Sequence, residues 1–373
     1  MNRLFRDALS NIKNVYGWKT KRRIVVLAVD DYGNVRVNGP AARAAITAAG
    51  FPPLNMFDEY DTLATESDLC ALYEVLDSVR DQNNRPAVFT ALTLPANIDF
   101  ERMRAEDYRT YHYELLPVTL GKLPGYENVW ARWQEGIRAG WLFPQFHGRE
   151  HLNLRVFEHH LRQRDPATMT ALAHRSYTNI KNTAFPNVGY TAAFDFEESS
   201  ELDHLAAIAT DGLARFEEVF GFRSRSFNSP GTAEHSALHA TLANAGVEYI
   251  ETHLIKREHQ GGGNYRREVN YTGKRTRYDQ VYLVRNCVFE PTHERGVDWI
   301  PYTLRQVEAA FRWNRPAIIS SHRVNFCGSI DPQQRRNGLT ALRGLLEQIK
   351  QRYPDIEFMT TVELGDLIRQ TKS

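Results

Sequence analysis

An α/β protein built around a parallel sheet is the fold class this 373-residue sequence predicts, and two observations predict it. Apolar, β-branched runs recur at IVVLAV (24–29), AVFTALTL (87–94), FPQF (143–146), VEYIET (247–252), VYLVRNCVF (281–289), AIISS (317–321) and IEFMTT (356–361). Between them lie stretches of helical period: AARAAITAAG (41–50), ATESDLCALYEVLDSVRDQ (64–82), SSELDHLAAIATDGLARFEEVFG (199–221) and AEHSALHATLANAG (233–246). Continuous apolar runs belong to strands covered on both faces, and their alternation with helices marks a parallel sheet, open or closed into a barrel. A barrel is expected.

Taken in order, the run 24–29 supplies the first strand. Gly50, Gly221 and Gly246 each follow the last periodic residue of a helix, where a left-handed cap is needed. Residues 95–142, rich in Tyr, Trp, Arg and Pro, and 160–198, polar and weakly periodic, break the alternation and read as insertions able to roof a site. A third, 256–280, holds Gly261, Gly262 and Gly263 between charged, tyrosine-bearing arms and reads as a hairpin. The expected organisation is an N-terminal surface helix over 1–22 followed by a single domain, 23–373, carrying the three insertions.

With 42% apolar and 24% charged residues the composition is that of an ordinary globular protein, and a net charge of +1 gives no overall reason to expect nucleic acid or a membrane surface as partner. Cys70, Cys287 and Cys327 have no CxxC spacing, which argues for a reducing compartment rather than a disulfide framework. The basic, mildly amphipathic N-terminus lacks the apolar core of a signal peptide, and no run of 18 apolar residues occurs. A cytoplasmic protein without a transmembrane segment is expected.

Asp30 and Asp31 end the first run. A buried strand closing on two carboxylates needs a compensating charge, because an unpaired buried charge costs several kcal/mol. In parallel α/β proteins ligands collect at the carboxyl ends of strands. His147 follows FPQF and His322 follows AIISS, so three strand ends deliver ionisable groups to one rim. His147 and His151 could share one face of a helical turn, suited to one metal ion. The same spacing at His235 and His239 falls within a helical pattern and reads as a surface or core-edge pair. Gly261, Gly262 and Gly263 lack the context of a phosphate loop. The arms around them (Lys256, Arg257, Tyr265, Arg266, Arg267, Tyr271, Lys274, Arg275, Arg277, Tyr278) read as a solvated hairpin, with contact to an anionic substrate as the alternative.

These residues resemble the motifs of the polysaccharide deacetylases, a family of distorted (β/α) barrels that remove acetyl groups from N-acetyl sugars with a divalent metal, commonly zinc. AVDDYGN matches the first motif, which implies Asp30 as general base and Asp31 as metal ligand. HGREH matches the second, with Gly148 in place of a hydroxyl residue, and implies His147 and His151 as the other ligands. In SFNSPGT the third motif is altered. Asn228 stands where the family has the arginine that orients the base, and Gly231, after Pro230, stands where an aromatic residue presents its N–H to the oxyanion. Arg225 or Arg323 is the candidate to supply the missing charge. The fourth and fifth motifs resemble Asp298-Trp299 and the approach to His322, and the closing EFMTTVELGDLI resembles the family's last strand and helix. The gaps from Asp31 to His147 and from His151 to Pro230 are long, and they contain inserted regions.

The resemblance implies one divalent ion, most simply zinc, on Asp31, His147 and His151. Asp30 would remove a proton from the attacking water, and His322, held by Asp298, would protonate the leaving amine. Asn228, Pro230 and Gly231 would line the oxyanion side. The expected activity is removal of an acetyl group from an N-acetyl sugar or saccharide precursor. The alternatives are amidohydrolysis at another C–N bond, so that the partner is a carbohydrate or a small amide, or a catalytically inactive carbohydrate-binding relative.

Overall fold

The computed structural model describes residues 11–180, 184–293 and 296–371. Its strands are β1 (Arg23–Tyr32), β2 (Phe89–Thr93), β3 (Ala96–Ile98), β4 (Tyr113–Leu115), β5 (Leu142–Phe146), β6 (Ser226–Asn228), β7 (Tyr249–Thr252), β8 (Ile255–His259), β9 (Tyr265–Val269), β10 (Val281–Val284), β11 (Cys287–Val288), β12 (Ala317–His322) and β13 (Ile356–Met359). Eight form one parallel sheet in the order β10-β7-β6-β5-β2-β1-β12-β11, and β13 pairs with the start of β1.

The sheet is curled. β10 lies five strands from β1, and at about 4.8 Å per strand a flat sheet would separate them by about 24 Å. Yet Arg285, the residue after β10, hydrogen-bonds Asp30 of β1 at 2.7 Å. The two edge strands are also consecutive in the chain, since only Arg285 and Asn286 separate β10 from β11. Asn286 completes this seam by accepting from the Ile318 N–H at 2.8 Å and donating to the Pro316 carbonyl at 2.9 Å. The result is a distorted (β/α) barrel, as the alternation of runs and helices predicts. The run 281–289 is not one strand, because the chain crosses there from one edge of the sheet to the other.

Both faces of β1 are covered. Ile24, Val26 and Ala28 pack with Tyr249, Val281, Leu283 and Ile318 and with the last helix, Thr361–Gln370. Val25, Leu27 and Val29 join the larger core formed with the surrounding helices. That helix starts at a capping box between Thr360 and Glu363. Gly50, Gly221 and Gly246 have φ of +94°, +77° and +94°, the left-handed geometry expected of them.

Some elements differ from expectation. The helix expected over 233–246 is broken into a 3₁₀ turn (Ser236–Leu238) and a short helix (His239–Asn244), because the His235 ring and Glu258 cap the backbone N–H groups of Ala237 and Ser236. Much of the expected 1–22 helix lies outside the described residues. Among its described residues, 11–22, only Asn11 and Ile12 are helical, after which Trp18 N–H binds the Thr272 carbonyl. Residues 95–142 contain the β3–β4 pair and three helices, and 256–280 contains the antiparallel β8–β9 hairpin. Among the described residues no helix is long and apolar enough to cross a membrane.

Candidate metal centre

Successive side chains of a regular strand point to opposite faces, so two adjacent aspartates cannot both reach one rim. β1 solves this with a bulge. Its register with β2 shifts between Val29 and Tyr32, and Asp31 has φ of +74°. Asp is one of the few residues other than Gly that tolerate this region, and such strain, of order 1–3 kcal/mol, persists where surrounding structure enforces it. Both carboxylates are buried, Asp30 at 6% and Asp31 at 5% exposure.

His147 and His151 approach Asp31 from the loop after β5, not from a helical turn. Their Nε2 atoms lie 3.5 and 3.0 Å from Asp31 Oδ1. Tetrahedral zinc with ligand bonds near 2.05 Å would place its ligand atoms about 3.3 Å apart. Asp31 Oδ1 is buried without a hydrogen-bond partner, so the donor set fits a cation. The His147 Nδ1–H donates to the Asn228 carbonyl at 2.8 Å, which leaves its Nε2 lone pair free for a metal. Burial lowers the His151 imidazole below its ordinary pKa and outweighs the attraction of Asp31, which keeps it in the neutral form that ligates. Gly148 allows the close loop packing. A Cβ there would meet the Glu150 carbonyl at 3.1 Å and Pro230 Cγ at 3.2 Å.

Asp30 is held by neither of the arginines suggested by sequence. Arg225 pairs with Glu248 and Asp366 near the surface, and Arg323 is buried against Asp61. Arg285 takes the role instead. Two of its nitrogens donate to the two oxygens of Asp30, each at 2.7 Å, and its Nε donates to Glu251 at 2.7 Å. Burial would raise the Asp30 carboxyl, but the guanidinium outweighs it and holds the pKa below the ordinary carboxylate value. A carboxylate has about four acceptor directions, so two remain for a water.

His322 is the register partner of Asp30, with Nε2 3.7 Å from Asp30 Oδ2. Its Nδ1 is bound at 2.7 Å by Glu290, not by Asp298. Asp298 is corrected to a helix N-cap, accepting from the Ile300 N–H at the start of the helix Trp299–Arg312. Burial disfavours the imidazolium, but the Glu290 carboxylate outweighs it and lifts His322 to about 10. Glu290 also accepts from Asn325 at 2.7 Å. Sequence reasoning missed Arg285 and Glu290, although each directly follows a short strand or its extension and so obeys the strand-end rule.

The third-motif residues lie beside the metal ligands. Asn228 contributes its backbone carbonyl to His147, and Pro230 packs against Gly148. Gly231 is exposed with φ of +62°, and a Cβ there would meet Ala192 Cβ at 2.8 Å. His239 is buried against Glu234, and Lys256 is buried between Glu234 at 2.8 Å and Glu258 at 2.9 Å. Arg266 pairs with Glu258, and Lys274 with Glu268.

No family model matches the chain, and no curated protein does either. Several solved structures are similar to it. A polysaccharide deacetylase assignment from Mycobacterium smegmatis is 12% identical with a TM-score of 0.46, over 95% of this chain and 93% of that one. A glycoside hydrolase/deacetylase from Parabacteroides distasonis is 11% identical with a TM-score of 0.49, over 95% and 73%. The 4-alpha-glucanotransferase of Thermococcus litoralis is 9% identical with a TM-score of 0.44, over 92% of this chain, which spans only 40% of that protein. At these distances the functional argument rests on the site itself.

Proposed function

We propose that this protein is a metal-dependent hydrolase that removes an acetyl group from an N-acetyl sugar or saccharide precursor. One observation carries the reading: a buried Asp31–His147–His151 set, with an orphaned carboxylate oxygen, lies beside the pair formed by Asp30, held by Arg285, and His322, held by Glu290. Asp31, His147 and His151 would hold a divalent ion, zinc by the chemistry of its donors, which would supply acidification of water toward about 7 and polarisation of an acyl oxygen.

The protein groups do the rest. Asp30 accepts the proton of the attacking water through a lone pair that Arg285 leaves open. As the tetrahedral centre collapses, the C–N bond breaks and His322 Nε2 gives its proton to the departing nitrogen. Glu290 holds His322 protonated for this step, and the Gly231 N–H serves the oxyanion.

The test is metal content with acetate release. One divalent ion per chain is expected, and His147→Ala and His151→Ala should each lose it together with acetate release from N-acetylglucosamine derivatives. Full metal content in both variants would place the site elsewhere. A second reading, a carbohydrate-binding protein without turnover, is favoured by the grip of Arg285 on both Asp30 oxygens. Acetate release above background by the metal-loaded protein decides against it, and a panel of cyclic imides and N-formyl amides separates acetyl removal from other amide hydrolysis.

A further inference from the structure

The β8–β9 hairpin presents a face that the reaction does not use. Its outward cross-strand pairs are Ile255 with Val269 and Arg257 with Arg267. Ile255 is 57% and Val269 58% exposed. Like charges placed directly opposite on neighbouring strands destabilise a hairpin, and among the described residues neither arginine has a carboxylate partner. Arg257 lies over the Tyr265 ring at 4.4 Å. The hairpin's other cations, Lys256 and Arg266, are paired with carboxylates, so this unneutralised pair stands apart.

The face continues toward the N-terminal segment. Tyr271, two residues beyond Val269, lines one cleft with Lys13 and Tyr16. Ile12, Val15 and Tyr16 are exposed at 56%, 38% and 69%. Exposed apolar side chains are thus present both on the hairpin and on the segment that meets Tyr271.

We propose that this face docks the protein on an anionic phospholipid surface, with the arginines against headgroup phosphates and Ile255 and Val269 at the acyl boundary. A single-stranded nucleic acid would satisfy the arginines and tyrosines, but it has no use for exposed aliphatic residues. A bilayer interface takes both, and each basic residue near it contributes roughly fivefold in partitioning, screened by salt.

The test is sedimentation of the full chain with vesicles of phosphatidylcholine alone and of phosphatidylcholine with phosphatidylserine, at low and high salt. Binding is expected only to the phosphatidylserine vesicles and should weaken with salt. Arg257→Ala with Arg267→Ala should lower partitioning roughly 30-fold. Ile255→Ser with Val269→Ser should lower it severalfold at unchanged salt dependence. All four side chains are exposed, and unchanged thermal melting confirms the fold of each variant. The proposal is overturned by equal binding to neutral vesicles, by no binding to phosphatidylserine vesicles at low salt, or by binding that survives both double substitutions. Tighter binding to single-stranded RNA that ignores the loss of Ile255 and Val269 also overturns it.

Discussion

Replacing Arg285 by methionine would leave Asp30 and Glu251 buried without the guanidinium that now donates one hydrogen bond to each Asp30 oxygen and one to Glu251. Removing one partner of a buried ion pair costs about 3–5 kcal/mol. The protein can limit that cost by protonating a carboxylate. With an ordinary pKa near 4, this costs about 4 kcal/mol per proton at pH 7 and about 1.4 kcal/mol at pH 5. The sign follows from linkage. In the parent, the lowered pKa of Asp30 gives stability that is present above its unfolded value and lost as pH falls through the folded one. In Arg285→Met the folded pKa is raised, so the deficit relative to the parent should be about 4 kcal/mol at pH 7 and should shrink toward pH 5. Urea denaturation at the two pH values measures this. The acid limb of kcat/KM should move from below the ordinary carboxylate range to above it, and Arg285→Lys, which keeps the charge but loses the fork, should fall between. An equal deficit at both pH values with an unmoved acid limb would refute the assignment of Arg285 to Asp30.

Further outcomes follow from the same geometry. Asp30→Asn should keep the metal while losing about 10²–10⁴ in turnover, whereas Asp31→Asn, which tolerates the same positive φ, should lose metal; equal metal loss in both would undo this division. Glu290→Gln should bring the alkaline limb of the rate profile down from about 10 toward about 6.5, read by kcat against pH. The stabilisation from that pair is full below about 6.5 and lost as pH rises through about 10, so the variant's stability deficit should vanish at the alkaline end. Asp298→Ala should cost only an N-cap, about 0.5–2 kcal/mol in denaturation, and a shifted alkaline limb in that variant would return Asp298 to the acid machinery.

What was legible in the sequence and what was not divide along physical lines. The strands could be read because burial on both faces leaves no room for polar residues, as in β1, and the helix ends because Gly50, Gly221 and Gly246 must take positive φ. The meeting of Asp31, His147 and His151 followed from strand ends sharing a rim, although the helical turn inferred from their spacing is a loop. Arg285 was hidden for a different reason. VYLVRNCVF has the apolarity of one long strand, and nothing local announces that the chain changes sheet edge in its middle. With that run read as one strand, Arg285 lies in its interior, whereas Glu290 stands directly after it at a strand end and is passed over because a motif match offers Asp298 for the same role. Asp298 took the vacant role because a motif offered it, while its N-cap geometry, an Asp before a helix-period stretch, was equally present in the chain.

The two-residue seam at Arg285 and Asn286 divides the chain into regions with opposite tolerance to length change. An exposed turn such as 106–110 lies outside that register, so a change of length there leaves the Arg285 pairs in place. At the seam one extra residue would slip the guanidinium out of register with Asp30 or pull Asn286 from the Ile318 N–H, and basicity and barrel closure would fail together. Variation in what the protein accepts therefore has many places to accumulate, whereas the spacing between β10 and β11 is a fixed gauge that descendants of this fold must keep.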